Sequence, residues 1–107
     1  MPALAEFELR VLLTVMRCGD DAYAVAVHDD LQRRTRRRAS IGAVYVTLDR
    51  LERKGLLQST LGEPRAERGG RARRHYRLSR KGEAAVRQEC VVIQDLWRGL
   101  GIAEDPR

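Results

Sequence analysis

The segment Ser40-Ile-Gly-Ala-Val-Tyr-Val-Thr-Leu-Asp-Arg-Leu-Glu-Arg-Lys-Gly-Leu56 decides the fold of this chain, because it joins a well-delimited helix to the start of a strand. The Ser40 hydroxyl is suited to cap the first turn, and Gly55 is suited to end the helix in the left-handed conformation. An apolar stripe recurs between them at helical spacing, at Ile41, Val44, Leu48 and Leu51. We therefore predict an amphipathic helix over residues 40–54 whose stripe faces a core.

The other face of this helix is unusual for a solvated surface, because small side chains and then arginine stand where Glu and Lys are common. That face comprises Gly42, Ala43, Val46, Thr47, Arg50, Arg53 and Lys54. Small residues let a backbone approach the major groove of DNA, where Ala43 or Thr47 can touch a thymine methyl and Arg50 can reach guanine or phosphate. The pattern predicts a DNA-recognition helix.

Two predicted strands follow the helix. Residues 56–61 form the first and residues 73–78 the second, with Tyr76 and Leu78 facing inward and His75 and Arg77 outward. The connection over residues 62–73 is too long for a tight hairpin and is rich in arginine, at Arg65, Arg68, Arg71 and Arg73. Helix, hairpin and basic loop together predict a winged helix-turn-helix, mostly α with a small β-hairpin.

Three further helices are predicted around this unit. The first spans residues 4–17 and is apolar almost all round, so more than one surface must cover it. Residues 18–21 form a turn and helix cap, with Asp20-Asp21 as capping and Asp29-Asp30 as surface charge. The second helix runs over about residues 22–34, with an inward row of Tyr23, Val27 and Leu31.

The last helix begins after residues 79–83 and continues to about Leu100, where Gly101 can end it. Its apolar residues alternate in steps of four and three, as in a coiled-coil seam, at Val86, Cys90, Ile93, Trp97 and Leu100. We expect this seam to form a homodimer with the first helix, through Leu4, Phe7 and Val11. The alternative is that the seam folds back onto the first helix of its own chain.

Composition fits one small domain, since the chain has 107 residues and 43% hydrophobic residues. The formal charge of +6 comes almost entirely from arginine, which binds phosphate in a planar fork, although a high-GC genome also favours arginine. No segment approaches the roughly twenty apolar residues of a membrane span, and the start lacks a basic signal-peptide region. We expect a cytoplasmic protein.

Catalytic and metal chemistry find little support. His28 and His75 stand alone, and no serine or cysteine lies in a nucleophile motif. Cys18 and Cys90 give neither a disulfide framework nor a metal-site spacing, so both are predicted to be packed thiols. We predict no enzyme activity, no metal and no cofactor.

The chain resembles the PadR family of transcriptional regulators in several motifs that occur in family order from about residue 4 to residue 87. They are Phe7-Glu-Leu-Arg-Val-Leu-Leu13, Gly19-Asp-Asp-Ala-Tyr23, residues 42–56, Gly69-Gly-Arg-Ala-Arg-Arg-His-Tyr-Arg-Leu78 and Gly82. The tyrosine of Gly-Ala-Val-Tyr and the Gly-Gly-Arg before the second strand are the more specific. The resemblance implies a dimeric DNA-binding regulator, usually a repressor of a roughly palindromic operator, with the first and last helices building the dimer.

The same resemblance implies site residues. The recognition-helix segment matches at Gly42, Ala43, Tyr45, Val46 and Thr47, and the basic wing matches at Arg68, Arg71 and Arg73. Ser40 and Arg50 complete the predicted DNA-binding set. Tyr45 lies at the border of the core stripe, so its ring either packs on the core or presents its hydroxyl to phosphate. Arg36, Arg37 and Arg38 either contact phosphate or belong to a solvated turn.

The C-terminal region departs from many members of the family, which carry a longer multi-helix domain. The chain resembles the compact subgroup with a single terminal helix, in which some members bind flat aromatic drugs between paired tryptophans. Trp97 lies on the predicted seam, so either it packs there or it helps to bind a small aromatic effector at the dimer interface.

These predictions divide the chain into a DNA-binding domain over residues 1–78, a dimerisation helix over 79–101 and a tail over 102–107. The predicted partner is double-stranded DNA, with the helix over residues 40–54 in the major groove and the wing over residues 62–73 on the backbone or in the minor groove. The rival hypothesis is a winged-helix adaptor whose basic wing binds an acidic protein.

Overall fold

The computed structural model describes residues 4–62 and 73–102. Four helices are present in this part of the chain: α1 (Glu6–Cys18), α2 (Ala24–Thr35), α3 (Ile41–Arg53) and α4 (Arg80–Trp97). Strands β1 (Leu57–Leu61) and β2 (Arg74–Leu78) pair antiparallel, with Leu57 opposite Leu78 and Leu61 opposite Arg74. The predicted mostly α, winged helix-turn-helix fold is confirmed.

The core lies where α1, α2 and α3 meet the hairpin and the start of α4. Its largest fully buried side chains are Leu12, Leu48, Leu51, Leu57, Val11, Val15, Val27 and Val44. Three of the four predicted stripe positions of α3 are buried, but Ile41 is exposed because it occupies the first helical position, beyond the edge of the core. Removing the eight side chains from water is the main stabilising contribution to the fold.

The junction between α1 and α2 differs from the prediction. A single 3-10 turn over Gly19–Asp21 follows α1, and the cap position of α2 is Tyr23, which makes no side-chain capping hydrogen bond. Neither Asp20 nor Asp21 therefore caps α2. Gly19 has φ 58°, a conformation that favours glycine. Tyr23 is half-buried, so it belongs only partly to the inward row of α2.

Asp30 is a buried carboxylate, contrary to the prediction of surface charge. Its two oxygens accept hydrogen bonds from Arg33 and Arg34, which both lie about one helical turn further along α2. The ion pairs compensate the loss of hydration that burial imposes on Asp30. They also engage two of the arginines that precede the turn into α3.

The start of α4 is docked on the end of the recognition segment. The Ser79 side chain accepts a hydrogen bond from the Gly82 N–H and donates one to the carbonyl oxygen of Gly55 at 2.6 Å. The Ser79 N–H donates to the carbonyl oxygen of Leu56 at 3.1 Å. A Cβ atom at Gly82 would lie 2.1 Å from that same carbonyl oxygen, so this crossing requires glycine.

The second half of α4 extends beyond the core. Ala85 and Val86 are buried, whereas Val92, Ile93 and Leu96 are exposed. The helix ends at Trp97 and not at Leu100, because Arg98 is extended and Gly99 has φ 80°. No helix in the described ranges is long and apolar enough to cross a membrane.

Candidate nucleic-acid interface

The outer face of α3 combines exposed apolar side chains with arginine. Tyr45 is 53% exposed and Val46 is 59% exposed, although both are bulky side chains. Gly42 and Ala43 lie beside them in the first turns, and Arg50 is exposed one turn further on. Contiguous apolar exposure of this kind marks a contact surface. We refer to Gly42, Ala43, Tyr45, Val46 and Arg50 as the α3 face.

Two predictions about this helix are corrected by burial. Thr47 is only 4% exposed and lies on the core side with Val44 and Leu48, so in this conformation it cannot reach a DNA base. The reason is helical geometry, since Thr47 follows Val44 by three residues and precedes Leu51 by four. Tyr45 shows the opposite outcome, because its exposed ring does not pack in the core.

The N-terminus of α3 is well fixed. The Ser40 hydroxyl accepts a hydrogen bond from the Ala43 N–H at 3.0 Å, as predicted for a helix cap. One residue earlier, the Ala39 carbonyl oxygen lies 2.8 Å from Nε2 of His28, a side chain of α2. This hydrogen bond ties the turn between α2 and α3 to the body of the domain, so the α3 face has a defined orientation.

A buried ion pair fixes the other end of α3. The Glu8 carboxylate on α1 accepts hydrogen bonds from Nζ of Lys54 at 2.8 Å and from the Ala5 N–H at 3.1 Å. Burial acts to raise the pKa of Glu8, but these hydrogen bonds and the positive charges of Lys54 and Arg50 hold that pKa below its ordinary value. Lys54 therefore anchors the helix, although the sequence placed it on the outer face.

The three arginines between α2 and α3 are all exposed but have different surroundings. Arg36 ends α2 in the left-handed region with φ 56°. Arg37 is paired with Glu6 on α1 at 2.8 Å, and its guanidinium lies 5.6 Å from the centre of the Phe7 ring. Of the three predicted phosphate contacts, Arg37 is thus the one whose charge is already compensated within the domain.

The hairpin is linked to both helices of the helix-turn-helix. Nη1 of Arg74 donates to Oγ of Ser59 at 3.0 Å, and Ser59 donates to Oε2 of Glu52 on α3 at 2.6 Å. On the other side of the hairpin, the Arg73 guanidinium lies 4.0 Å from the centre of the Tyr23 ring. Arg73 therefore lies at the base of the predicted wing, whereas Arg65, Arg68 and Arg71 are outside the described residues.

The two cysteines lie in different environments. Burial raises the pKa of the Cys18 thiol, so this partly buried side chain remains protonated and unreactive at neutral pH. Cys90 is exposed on α4, and the prediction that it is a packed thiol is wrong within one chain. No group of three or more candidate metal ligands occurs within residues 4–62 and 73–102.

The predicted dimer residues fall into two groups. Val11 and Val86 are buried in the core of the single chain, and Leu4 and Phe7 are partly buried against it, because α1 and the first half of α4 pack on each other. Cys90, Ile93 and Leu100 are exposed, and Trp97 is half-buried.

The exposed apolar stripe of α4 also contains Val92 and Leu96, which the predicted seam omitted. Leu96 is 73% exposed, more than any other large hydrophobic side chain in the described ranges. Its spacing of four from Val92 and from Leu100 was available in the sequence, but the heptad assignment placed the seam on a neighbouring set. We refer to Val92, Ile93, Leu96 and Leu100 as the α4 stripe.

Solved structures with the same fold are transcriptional regulators. RosR from H. salinarum aligns with a TM-score of 0.69 and 20% identity, covering 90% of this chain and 79% of that one. A transcriptional regulator from Clostridium thermocellum aligns with a TM-score of 0.68 and 21% identity over 87% of each chain. A PadR-like regulator from Bacillus cereus aligns with a TM-score of 0.61 and 20% identity, covering 87% of this chain and 92% of that one.

No curated protein sequence is significantly similar to the chain. The model of the transcriptional regulator PadR-like family matches residues 12–88, a span that includes α2, α3, the hairpin and the docked start of α4. Members of this family regulate transcription and are not enzymes. With this match over most of its length and the winged-helix fold described above, the chain belongs to the PadR-like family of transcriptional regulators.

Proposed function

We propose that this regulator is a dimeric repressor that binds a roughly palindromic operator with the α3 face in the major groove. The observation that carries the proposal is the exposure of Tyr45 and Val46 beside Gly42, Ala43 and Arg50 on a firmly anchored helix. Small residues allow close approach, Val46 offers an apolar contact to a thymine methyl, and Arg50 offers paired donors to guanine or phosphate. We expect the protein to meet this operator in the cytoplasm.

Arginine outside α3 supports backbone binding. Arg36 and Arg38 are exposed at the turn before α3, and Arg73 lies at the base of the hairpin, so positive charge flanks the α3 face at two sides. Arg68 and Arg71 would extend this charge along the wing. Phosphate contacts of this kind fix the register of a protein on DNA, whereas the α3 face supplies contacts to the bases.

Dimerisation is supported by the α4 stripe. Its residues continue the apolar row that Ala85 and Val86 bury in the core, but beyond Glu89 no element of the described part of the chain covers them. Leu13 and Met16 on α1 add further exposed apolar surface. We assign residues 1–78 to DNA binding, 79–101 to dimerisation through this stripe, and 102–107 to a tail. Two α3 faces related by a two-fold axis would then read two half-sites.

The test is equilibrium binding to the DNA upstream of the protein's own coding sequence, measured by fluorescence anisotropy with random competitor DNA. We expect one dimer per site and a complex that survives competitor at physiological salt. Arg50→Gln should weaken binding about tenfold or more, by loss of a base or phosphate contact of roughly 1–3 kcal/mol. Arg87→Gln is the matched control, because Arg87 is exposed on α4, away from the α3 face.

Binding that competitor abolishes, with equal affinities for wild type and Arg50→Gln, would argue against the operator and for the winged-helix adaptor. Repression is tested by a reporter under the same upstream DNA, whose expression should rise when the regulator is deleted. An unchanged or lower reporter signal would contradict the direction of regulation.

We further propose that a small planar aromatic molecule binds beside Trp97 at the dimer seam. Trp97 is the only tryptophan and is half-buried at the end of α4. A planar dye that binds there should quench tryptophan emission in a saturable manner. Unchanged emission at saturating dye would leave Trp97 as a packing residue of the seam.

A further inference from the structure

All three tyrosines of the chain line one groove, which lies between the start of α2, the recognition helix and the hairpin. Tyr23 comes from the cap position of α2, Tyr45 from α3 and Tyr76 from β2. Arg73 and Arg74 are the charged side chains of this lining, and no carboxylate belongs to it among the described residues. The tyrosine groove, as we call it, is thus both aromatic and positive, and it adjoins the α3 face through Tyr45.

Tyr23 is held in this groove from two directions. Its backbone forms an antiparallel bridge with His75 of β2, and next to it the Tyr76 N–H donates to the Ala22 carbonyl oxygen at 2.8 Å. Its ring meets the His75 ring edge to face, with centroids 5.8 Å apart and planes at 82°. Tyr23 is therefore a fixed platform attached to the second strand of the hairpin.

The Arg73 guanidinium lies on this platform, 4.0 Å from the centre of the Tyr23 ring. An aromatic face attracts the cation but does not neutralise it, and the in-plane N–H groups of a stacked guanidinium still point outward along its edge. Arg37 provides a contrast within the same domain, because its guanidinium is paired with the Glu6 carboxylate at 2.8 Å. Tyr23 thus restrains the Arg73 side chain without compensating its charge.

We propose that Tyr23 is a positioning residue for DNA binding, which holds Arg73 in place to receive a backbone phosphate where the hairpin meets the operator. The inference rests on the proposed function, since it needs DNA on the side of the α3 face. Restraining a long side chain before binding reduces the entropy lost when it contacts a phosphate, roughly 0.5–1.5 kcal/mol for one side chain. Loss of the platform should accordingly weaken the complex about two- to tenfold.

Binding of a fluorescein-labelled duplex, selected from a random pool with the wild-type protein, tests the proposal through affinity and its salt dependence. Tyr23→Phe keeps the aromatic face and should bind like wild type. Tyr23→Leu should bind about two- to tenfold more weakly with an unchanged slope of log affinity against log salt, because no charge is lost. Arg73→Gln should lower that slope by about one, the signature of one lost phosphate contact.

Coupling between the two positions is the decisive readout. In the Arg73→Gln background, Tyr23→Leu should cause no further loss of affinity, since the platform then has nothing to position. Arg77→Gln is the matched control, because Arg77 is exposed on the same strand and lies on the opposite groove with Gln58 and Thr60. Thermal unfolding of each variant separates a loss of fold from a loss of positioning.

If Tyr23→Leu does not fold, Arg73→Lys provides the same test with Tyr23 intact. Lysine keeps the charge without a planar group, so affinity should fall while the salt slope stays constant. Equal losses from Tyr23→Leu in the wild-type and Arg73→Gln backgrounds, or an unchanged salt slope in Arg73→Gln, would overturn the proposal. Failure of the wild-type protein to select any duplex would instead reject the proposed function itself.

Discussion

The ion pair between Glu8 and Lys54 predicts an unusual ranking of two substitutions. The Glu8 side chain is only 5% exposed, whereas the Lys54 side chain is 47% exposed. Replacing Glu8 by Gln leaves a lysine that water can solvate and an amide oxygen that still accepts hydrogen bonds. Replacing Lys54 by Met leaves a carboxylate buried without its cation. The change at the more exposed residue should therefore destabilise the protein more.

The magnitudes follow from the same burial. Removing one partner of a fully buried pair costs roughly 3–5 kcal/mol, while exposed pairs contribute roughly 0–1 kcal/mol. The Ala5 N–H still donates to Glu8 in Lys54→Met, and water reaches Lys54, so we expect a loss of about 2–3 kcal/mol for Lys54→Met. For Glu8→Gln we expect a loss of about 1 kcal/mol. Arg53→Met, which breaks an exposed pair with Asp49, should cost less than about 0.5 kcal/mol.

Urea unfolding at a fixed protein concentration measures these differences, and its pH dependence adds a second test. Because the pKa of Glu8 is lowered in the folded wild type, its stabilising contribution is present above the ordinary carboxyl pKa. That contribution is lost as the pH falls through the folded pKa. In Lys54→Met burial dominates and raises the pKa, so the variant should regain stability relative to wild type as the pH falls. A larger loss for Glu8→Gln than for Lys54→Met at neutral pH would refute this reasoning.

Three further substitutions test other parts of the molecule. Val46→Ala should change the preference among operator bases, whereas Thr47→Val should leave it unchanged because Thr47 is buried; selection of duplexes from a random pool compares the two. Gly82→Ala should lower the free energy of unfolding by about 2–3 kcal/mol, since its Cβ would collide with the Leu56 carbonyl; a stability gain, as helix propensity alone implies, would contradict the observed crossing. Leu96→Glu should convert the dimer to monomer in light scattering, and an unchanged mass would show that the α4 stripe is not the interface.

Local chemistry made α3 predictable from sequence. Ser40 caps it, Gly55 follows it with φ 79°, and Val44, Leu48 and Leu51 are buried as the helical period requires. These features depend on residues a few positions apart, which a sequence pattern records directly. The same pattern misplaced Thr47, because a small hydroxyl side chain is compatible with either face.

Contacts between distant residues were beyond the pattern. Lys54 reaches Glu8 across 46 positions, and Arg73 reaches Tyr23 across the whole helix-turn-helix. Both residues looked like members of a basic surface, since composition records charge and not its partner. Asp30 was misassigned for the same reason, because its burial depends on the packing of α2 against the domain. Position along the chain could not distinguish an arginine paired with carboxylate from one stacked on a ring.

The α4 stripe shows a different limit. The coiled-coil spacing of Val86, Cys90 and Ile93 assumed that one seam runs along the whole helix, but the first half of α4 packs on its own chain. Val86 is therefore core, and the exposed surface shifts to the set that includes Val92 and Leu96.

The most direct test of the proposed DNA complex is affinity cleavage from position 46 on α3. A Val46→Cys variant, made with Cys18→Ser and Cys90→Ser, would carry an iron chelate and be bound to the selected duplex. We predict two cleavage clusters related by the two-fold symmetry of the operator, each centred in the major groove of one half-site. Cleavage scattered along the duplex, or confined to the minor groove, would contradict the placement of α3 in the major groove.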